Sequence, residues 1–217
     1  IRDMVRRFID AEIKPNLEEL EHGDLPPYDL LRKLYRTFGM DEMARASFER
    51  RLAAAEEGAA KSGDGERSGG GGGGMTLLPI IELCKCSPGM VTAMGVSVGL
   101  TSAAIMAKGT PAQQRRWALD ILTMDKIGAW AITEPGSGSD AFGAMQSTAR
   151  IDGDEFVLSG SKTFITNGPY ADTIVFICKL DEGNPPEERK IVQFVLDSGM
   201  PGLEQSKPLR KMGIHSS

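Results

Sequence analysis

The chain has 217 residues and a formal net charge of −5 at neutral pH, and 41% of its residues are hydrophobic. This composition indicates a globular protein of one or two domains. An acidic chain lacks the basic surface that phosphate groups require, which argues against nucleic acid as the main partner.

The cysteines Cys84, Cys86 and Cys178 are too few for a disulfide framework and favour a reducing, cytoplasmic setting. Cys84 and Cys86 could form half of a metal site. The histidines His22 and His215 lie far from them in the sequence, and no second pair completes a zinc spacing. We therefore predict no metal site.

The sequence up to about residue 125 is typical of helices. Apolar residues recur at three- and four-residue steps over 1–17, which is the pattern of an amphipathic helix. Further helices are predicted over 28–38, after Pro26 and Pro27, and over 41–60. The first residues already follow the helical pattern, no signal peptide is visible, and "KMGIHSS" ends without a cap. We therefore predict that the sequence is a piece of a longer protein.

Residues 61–74 end in six consecutive glycines and predict a flexible loop. The loop is either a linker or a native insertion between helices, and the sequence leaves both interpretations open. Phosphate binding is disfavoured, because glycine-rich phosphate loops follow a strand and precede a helix. The helical pattern resumes over about 75–85.

The uncharged stretch 89–107 has two interpretations. Its length approaches that of a transmembrane helix. Serine, threonine and glycine residues dilute its hydrophobicity, so we predict instead a helix buried on nearly all sides, with small residues that allow close packing. Ser87-Pro88 supplies its start, and Thr110-Pro111 starts another helix that runs to about Thr123.

From Ile127 the apolar period changes to two, which predicts strands. "GAWAIT", 173–180 and 190–197 are predicted strands, and 145–168 is predicted as strand, turn, strand, turn, strand. Asp152-Gly153 is a hairpin signal. It is flanked by apolar residues on both sides, namely Ala149, Ile151, Phe156 and Leu158.

Helices followed by strands predict the α+β class. We predict an all-helical N-terminal domain over 1–125, with the glycine-rich loop at 61–74. An antiparallel β-barrel or sandwich-like domain then follows over 126–217.

The stretch "WAITEPGSGSD" places small residues directly after a strand. We expect Gly136, Ser137, Gly138 and Ser139 to expose successive backbone N–H groups with little side-chain cover. Such groups form anion-binding concavities, and serine hydroxyls add further donors. The glycines do not have the GxGxxG spacing, and no parallel βαβ unit follows, so this is no dinucleotide fingerprint. A plain turn between a strand and a hairpin is an equally good interpretation of this stretch alone.

A second stretch, "GSKTFITNG", places Phe164, Ile165 and Thr166 on a predicted strand about thirty residues downstream. An aromatic ring beside a hydroxyl can flank a flat heterocycle, by stacking and by a hydrogen bond to its polar edge. Phe164 taken alone is better explained as a core aromatic residue.

Together, "AITEPGSGSD" and "LSGSKTFITNG" closely resemble the signature pair of the acyl-CoA dehydrogenase family. The run Gln114-Arg115-Arg116-Trp117 and the ending "KPLRKMGIHSS" resemble the same family. The likeness is specific from about residue 110 to 217, loose before residue 75, and does not include the glycine-rich stretch. It implies a helical and a middle β-domain, with a C-terminal four-helix domain beyond this chain.

The resemblance implies that the first stretch lines FAD. Trp130, Ile132 and Thr133 would lie beside the isoalloxazine ring. Gly136 and Gly138 would allow close approach of the backbone, and Ser139 would reach both the FAD pyrophosphate and the acyl-CoA ligand.

In the second stretch, Phe164 stands where the family usually has tryptophan, so it can cover the ring but lacks the indole N–H. Ile165 would line the flavin site beside Phe164. Thr166 would donate a hydrogen bond near flavin N5, the atom that receives the hydride.

The family's catalytic base comes from the C-terminal domain, so no catalytic residue is assigned here. We predict that Glu134 and Asp140 fix the loop through hydrogen bonds from side chain to backbone. His215 stands where the family often has arginine, and we expect it near the domain surface with no catalytic role.

The resemblance implies an FAD-dependent acyl-CoA dehydrogenase that introduces a trans α,β double bond and passes electrons to an electron-transfer flavoprotein. A cytoplasmic homo-oligomer, either dimer or tetramer, is expected, with no membrane partner. An acyl-CoA oxidase, a flavin monooxygenase of the same fold and a catalytically dead flavin- or acyl-CoA-binding protein stay open. The 217 residues alone are expected to be inactive.

Overall fold

A computed structural model of the protein describes residues 1–56 and 73–217. The predicted first helix is present, although it passes through a π-helical segment and a 3₁₀ turn. The two following helices begin close to their predicted starts, and the predicted positions 57–60 of the second of these lie outside the described residues. The elements are α1 (Arg2–Phe8), a π segment (Ile9–Ile13), a 3₁₀ turn (Lys14–Asn16), α2 (Leu17–Glu21), α3 (Tyr28–Thr37) and α4 (Met40–Glu56).

The second group of helices begins at Gly73, so the last two positions of the predicted glycine-rich loop are helical. Positions 61–72 of that loop lie outside the described residues. Ser87 Oγ accepts a hydrogen bond from the N–H of Met90 at 3.4 Å, which confirms the predicted N-cap. The elements are α5 (Gly73–Cys84), α6 (Pro88–Met94), a π segment (Gly95–Thr101), α7 (Ser102–Lys108), α8 (Pro111–Gln113), a π segment (Gln114–Ala118) and α9 (Leu119–Leu122).

The helix Pro88–Lys108 is long and apolar enough to cross a membrane by length and composition alone. It is not buried on nearly all sides, so that prediction is wrong. Thr101 and Ser97 face the core, whereas Leu100 is 48% exposed and Gly99 is also exposed. One face packs tightly on the sheet: Ser97 Oγ accepts the N–H of Gly128 at 2.9 Å.

The sheet has five described strands, and its pairing is mixed, so the antiparallel prediction is wrong. β4 pairs in parallel with β1 and then with β2, and antiparallel with β5, while β2 and β3 are antiparallel. Strand period alone does not reveal pairing direction, because the alternation of side chains is the same in both. The strands are β1 (Gly128–Ala131), β2 (Thr148–Asp152), β3 (Glu155–Ser159), β4 (Thr173–Asp181) and β5 (Ile191–Asp197).

The predicted Asp152-Gly153 hairpin is confirmed, with Ala149 opposite Leu158 and Ile151 opposite Phe156. Gly153 has φ +67°, as this tight turn requires. The third strand predicted within 145–168 does not form. Phe164 (φ +55°) and Asn167 (φ +66°) both have left-handed backbone, which is incompatible with an extended strand.

A shared apolar core joins the helices to the sheet. The last described α-helix ends at Leu122 and the first strand begins at Gly128. The predicted division into two domains near residue 125 stays a prediction. The shared core contains buried residues from α4, α7, α9 and β4 among others, namely Phe48, Leu52, Ile105, Met106, Ala118, Ile121, Met145, Val175 and Ile177.

Candidate functional site

The first predicted segment leaves the sheet at the end of β1. Trp130 and Ile132 are half-buried and pack against the core shared by the helices and β4. Thr133 is also half-buried, and its hydroxyl makes no hydrogen bond within residues 1–56 and 73–217. These residues are therefore anchored on one side while a part of each stays accessible.

A tight turn follows the strand. Glu134 and Ser137 exchange two backbone hydrogen bonds, at 3.1 and 3.0 Å, across Pro135 and Gly136. The Ser137 hydroxyl donates to the carbonyl of Asp140 at 2.6 Å, and Ser137 is buried. The expectation that Ser137 exposes its N–H is therefore wrong, because the turn itself uses that donor.

The next two residues do present free donors. Gly138 and Ser139 are exposed. In the described part of the chain, neither of their N–H groups nor the Ser139 hydroxyl makes a hydrogen bond. A closed turn thus supports an open backbone segment, which is the arrangement that an anionic group can bind.

Glu134 has the structural role that was predicted for it. Its carboxylate accepts hydrogen bonds from the N–H groups of Gln146 (2.7 Å) and Ser147 (3.0 Å) and from Lys162 Nζ (2.8 Å). Burial alone would raise the pKa of Glu134, but these hydrogen bonds, Lys162 first among them, outweigh it and lower the pKa to about 2. A carboxylate held ionised in this way is not a general base near neutral pH.

Asp140 acts differently from its prediction. Its backbone carbonyl accepts hydrogen bonds from Ser137 Oγ and from the N–H of Ala144 at 3.1 Å, whereas its side chain makes no hydrogen bond among the described residues. The prediction of a side-chain hydrogen bond is therefore wrong for Asp140, because its position in the turn already directs the carbonyl toward both donors.

The lowered pKa of Glu134 predicts an acid-dependent loss of stability. The folded-state pKa of about 2 lies below the ordinary value of 4.5, so the ionised carboxylate stabilises the fold above pH 4.5. This contribution is lost as the pH falls from 4.5 towards 2. We expect Glu134→Gln to lower the free energy of unfolding most above pH 4.5, with the difference from the wild type shrinking at lower pH. Urea unfolding at a series of pH values measures this, and a difference independent of pH would contradict it.

The second predicted segment lies directly against the first. The N–H of Thr163 donates to the carbonyl of Thr133 at 2.9 Å, and Lys162 Nζ donates to the carbonyl of Ile132 at 3.1 Å. Phe164 follows, with its side chain 74% exposed, so the interpretation of Phe164 as a core aromatic is wrong.

Ile165 packs on the β-sheet core, while Thr166 stays half-buried. The Thr166 hydroxyl makes no hydrogen bond among the described residues. The structure thus brings the two segments together. Phe164, Ile165 and Thr166 do not lie on the predicted strand.

Asn167 is a residue that the sequence analysis missed. Its side chain is buried, accepts from the Tyr28 hydroxyl at 3.0 Å, and donates to the carbonyls of Ala93 and Gly128 at 2.9 Å each. One amide therefore ties the second segment to α3, α6 and β1. The Asn-Gly pair at 167–168 signalled a left-handed backbone, but no sequence pattern indicates these three distant partners.

Cavities and histidine side chains also occur outside the two segments. Two surface cavities, of about 560 and 280 Å³, are lined by residues outside the two segments. The rings of His22 and His215, far apart in sequence, lie 6.5 Å apart, and His215 Nε2 contacts the carbonyl of Lys211. Among the described residues, no group of three or more histidine, cysteine or acidic side chains is placed to hold a metal ion.

Comparison with known proteins identifies the family. Residues 39–125 match the N-terminal domain of acyl-CoA dehydrogenases, and residues 129–217 match their middle domain. The chain therefore belongs to the acyl-CoA dehydrogenase family.

Individual relatives are similar to this chain over nearly its whole length. The short-chain specific acyl-CoA dehydrogenase of Clostridium acetobutylicum is 30% identical over 217 residues, which is all of this chain and 52% of the relative. A chain in the structure named for the electron transferring flavoprotein of Acidaminococcus fermentans is 31% identical, with a TM-score of 0.72 over 99% of this chain and 51% of its own. The FAD complex of acyl-CoA dehydrogenase from Bacillus anthracis is 28% identical, with a TM-score of 0.68 over 99% of this chain and 33% of its own. The chain spans about half the length of the curated relative.

Proposed function

We propose that this chain is the helical and β part of an FAD-dependent acyl-CoA dehydrogenase. Its substrate would be an acyl-CoA thioester, from which the full-length protein removes one hydrogen from the α carbon and one from the β carbon. Membership of the family supports this reaction class.

The observation that carries the proposal is the joining of the two segments. Hydrogen bonds from Lys162 and Thr163 hold the Phe164 segment against the end of β1. Segments from different parts of the chain therefore form one surface. That surface offers an exposed aromatic ring together with N–H and hydroxyl donors that make no hydrogen bond in the described part of the chain.

This donor set fits FAD. The free N–H groups of Gly138 and Ser139 and the Ser139 hydroxyl suit a pyrophosphate. Trp130, Ile132 and the Thr133 hydroxyl would line one part of the isoalloxazine ring.

Phe164, Ile165 and the Thr166 hydroxyl would line the rest. FAD, when bound, supplies the acceptor for the hydride from the β carbon. The chain's own residues would orient that acceptor, and Thr166 would donate a hydrogen bond near flavin N5.

An electron-transfer flavoprotein is the electron acceptor we propose, since a similar chain belongs to a structure named for such a protein. A homo-oligomeric state and a cytoplasmic location stay predictions.

Anaerobic titration of the full-length gene product with saturated acyl-CoAs tests the proposal. We expect the visible flavin band to bleach with one class of chain length, as hydride transfer to the flavin requires. A stable flavin spectrum with every acyl-CoA would point to another substrate or to a binding protein without activity. Rapid reoxidation of the bleached protein by air would favour the oxidase alternative. A protein purified without flavin would contradict the proposed function.

A further inference from the structure

A buried ion pair joins the two segments. The side chains of Lys162 and Glu134 are only 6% and 5% exposed, and Lys162 Nζ lies 2.8 Å from Glu134 Oε1. The ammonium group also lies 5.1 Å from the centre of the Phe176 ring in β4. Both charges are therefore enclosed by protein.

Each partner of this pair makes further bonds to backbone. Glu134 accepts the N–H groups of Gln146 and Ser147 at the start of β2, and Lys162 donates to the carbonyl of Ile132. The pair thus connects the end of β1, the start of β2 and the chain that leads into Phe164.

Stability alone is a weak reason for such a pair. A buried ion pair is often no more stabilising than apolar side chains of the same size, whereas the removal of one partner leaves a buried charge unpaired. The pair instead fixes the position of the two segments relative to each other. Lys162 can contact both Glu134 and Ile132 only when the second segment lies against the end of β1.

The backbone next to Lys162 is strained. Phe164 has φ +55°, which is rare for a bulky residue, and its ring points into the open. Such strain persists only where the surrounding structure determines it. On the N-terminal side of Phe164, the N–H of Thr163 is hydrogen-bonded to the carbonyl of Thr133. On the C-terminal side, the buried side chain of Asn167 anchors the chain.

We propose that Lys162 is a positioning residue that, through its pair with Glu134, presents Phe164 and Thr166 to the flavin in a preformed arrangement. This inference rests on the proposed function, because it requires a flavin at the joined segments. Lys162 itself would not react with substrate.

The test compares Lys162→Met with the wild type in the full-length protein, by titrating the apoprotein with FAD. We expect FAD affinity to fall about tenfold or more, because a segment that is no longer preorganised must be ordered on binding. The visible circular dichroism of the bound flavin and its midpoint potential should change as well, since the ring and donors around it shift.

Two further variants separate positioning from stability. Lys162→Met/Glu134→Gln removes both charges, so it should restore folding if the single variant is unstable, while the flavin effects remain. Glu82→Gln is the control: the Glu82 side chain is also 6% exposed and pairs at 2.9 Å with Arg6, which is 43% exposed, in the helical part. It should lower stability without any change in flavin spectrum or potential.

The outcomes are distinguishable. Unchanged FAD affinity, spectrum and potential in both Lys162 variants would overturn the positioning role and leave the proposed function standing. Equal flavin effects in Glu82→Gln would also overturn it, since general destabilisation would then suffice. A wild-type protein that binds no FAD would overturn the inference together with the proposed function.

Discussion

Replacement of Asn167 by alanine is expected to lower the free energy of unfolding by about 4 kcal/mol, the largest effect predicted for this chain. The side chain makes three buried hydrogen bonds, with Tyr28, Ala93 and Gly128. Each contributes about 1 kcal/mol net, and alanine in a left-handed backbone adds about 1 kcal/mol of strain. Urea unfolding followed by circular dichroism measures the loss.

Two controls separate these contributions. Asn167→Gly loses the same hydrogen bonds without the strain at φ +66°, so it should be about 1 kcal/mol less destabilising than alanine. Asn184→Ala removes an asparagine from an exposed loop, where its only side-chain bond among the described residues is a 3.3 Å contact with the N–H of Glu182. It should cost well under about 1 kcal/mol. An equally small loss at Asn167 would show that its network contributes little.

Replacement of Gly160 by alanine is expected to cost about 3 kcal/mol, the next largest effect. Gly160 has φ +155° and lies between β3 and Lys162. A Cβ there would lie 2.1 Å from Ser147 Oγ and 2.9 Å from Ser147 Cα. The Ser147 side chain can turn away, but the Ser147 Cα belongs to the backbone that leads into β2. The strands must therefore separate at the point where Glu134 and Lys162 hold both segments.

Gly153→Ala is the matched control for Gly160. Gly153 also has a positive φ, +67°, but nothing lies within 4 Å of its missing Cβ. Only conformational strain should remain there, about 1 kcal/mol. If the two variants unfold at the same urea concentration, the close approach of Gly160 to Ser147 is not tight enough to matter.

The sequence was informative where the signal is local. The N-caps at Ser87 and Thr110, the Asp152-Gly153 hairpin and its cross-strand pairs all depend on neighbours within a few residues, and the structure confirms each. The structure also confirms the structural role of Glu134, although its partners Gln146, Ser147 and Lys162 lie 12, 13 and 28 positions away. The assignment of flavin contacts from Trp130 to Thr166 came from family resemblance and stays a prediction.

By itself, then, the sequence determined the order of helices before strands, most element bounds and the two segments of the candidate site, because periodicity and turn chemistry are encoded locally. Only the tertiary structure decided the parallel pairing of β4, the exposed face of Pro88–Lys108 and the irregular path around Phe164. It also revealed the partners of Lys162 and Asn167. These depend on contacts between residues tens of positions apart, and the energies of such contacts are set by the packing of the whole chain.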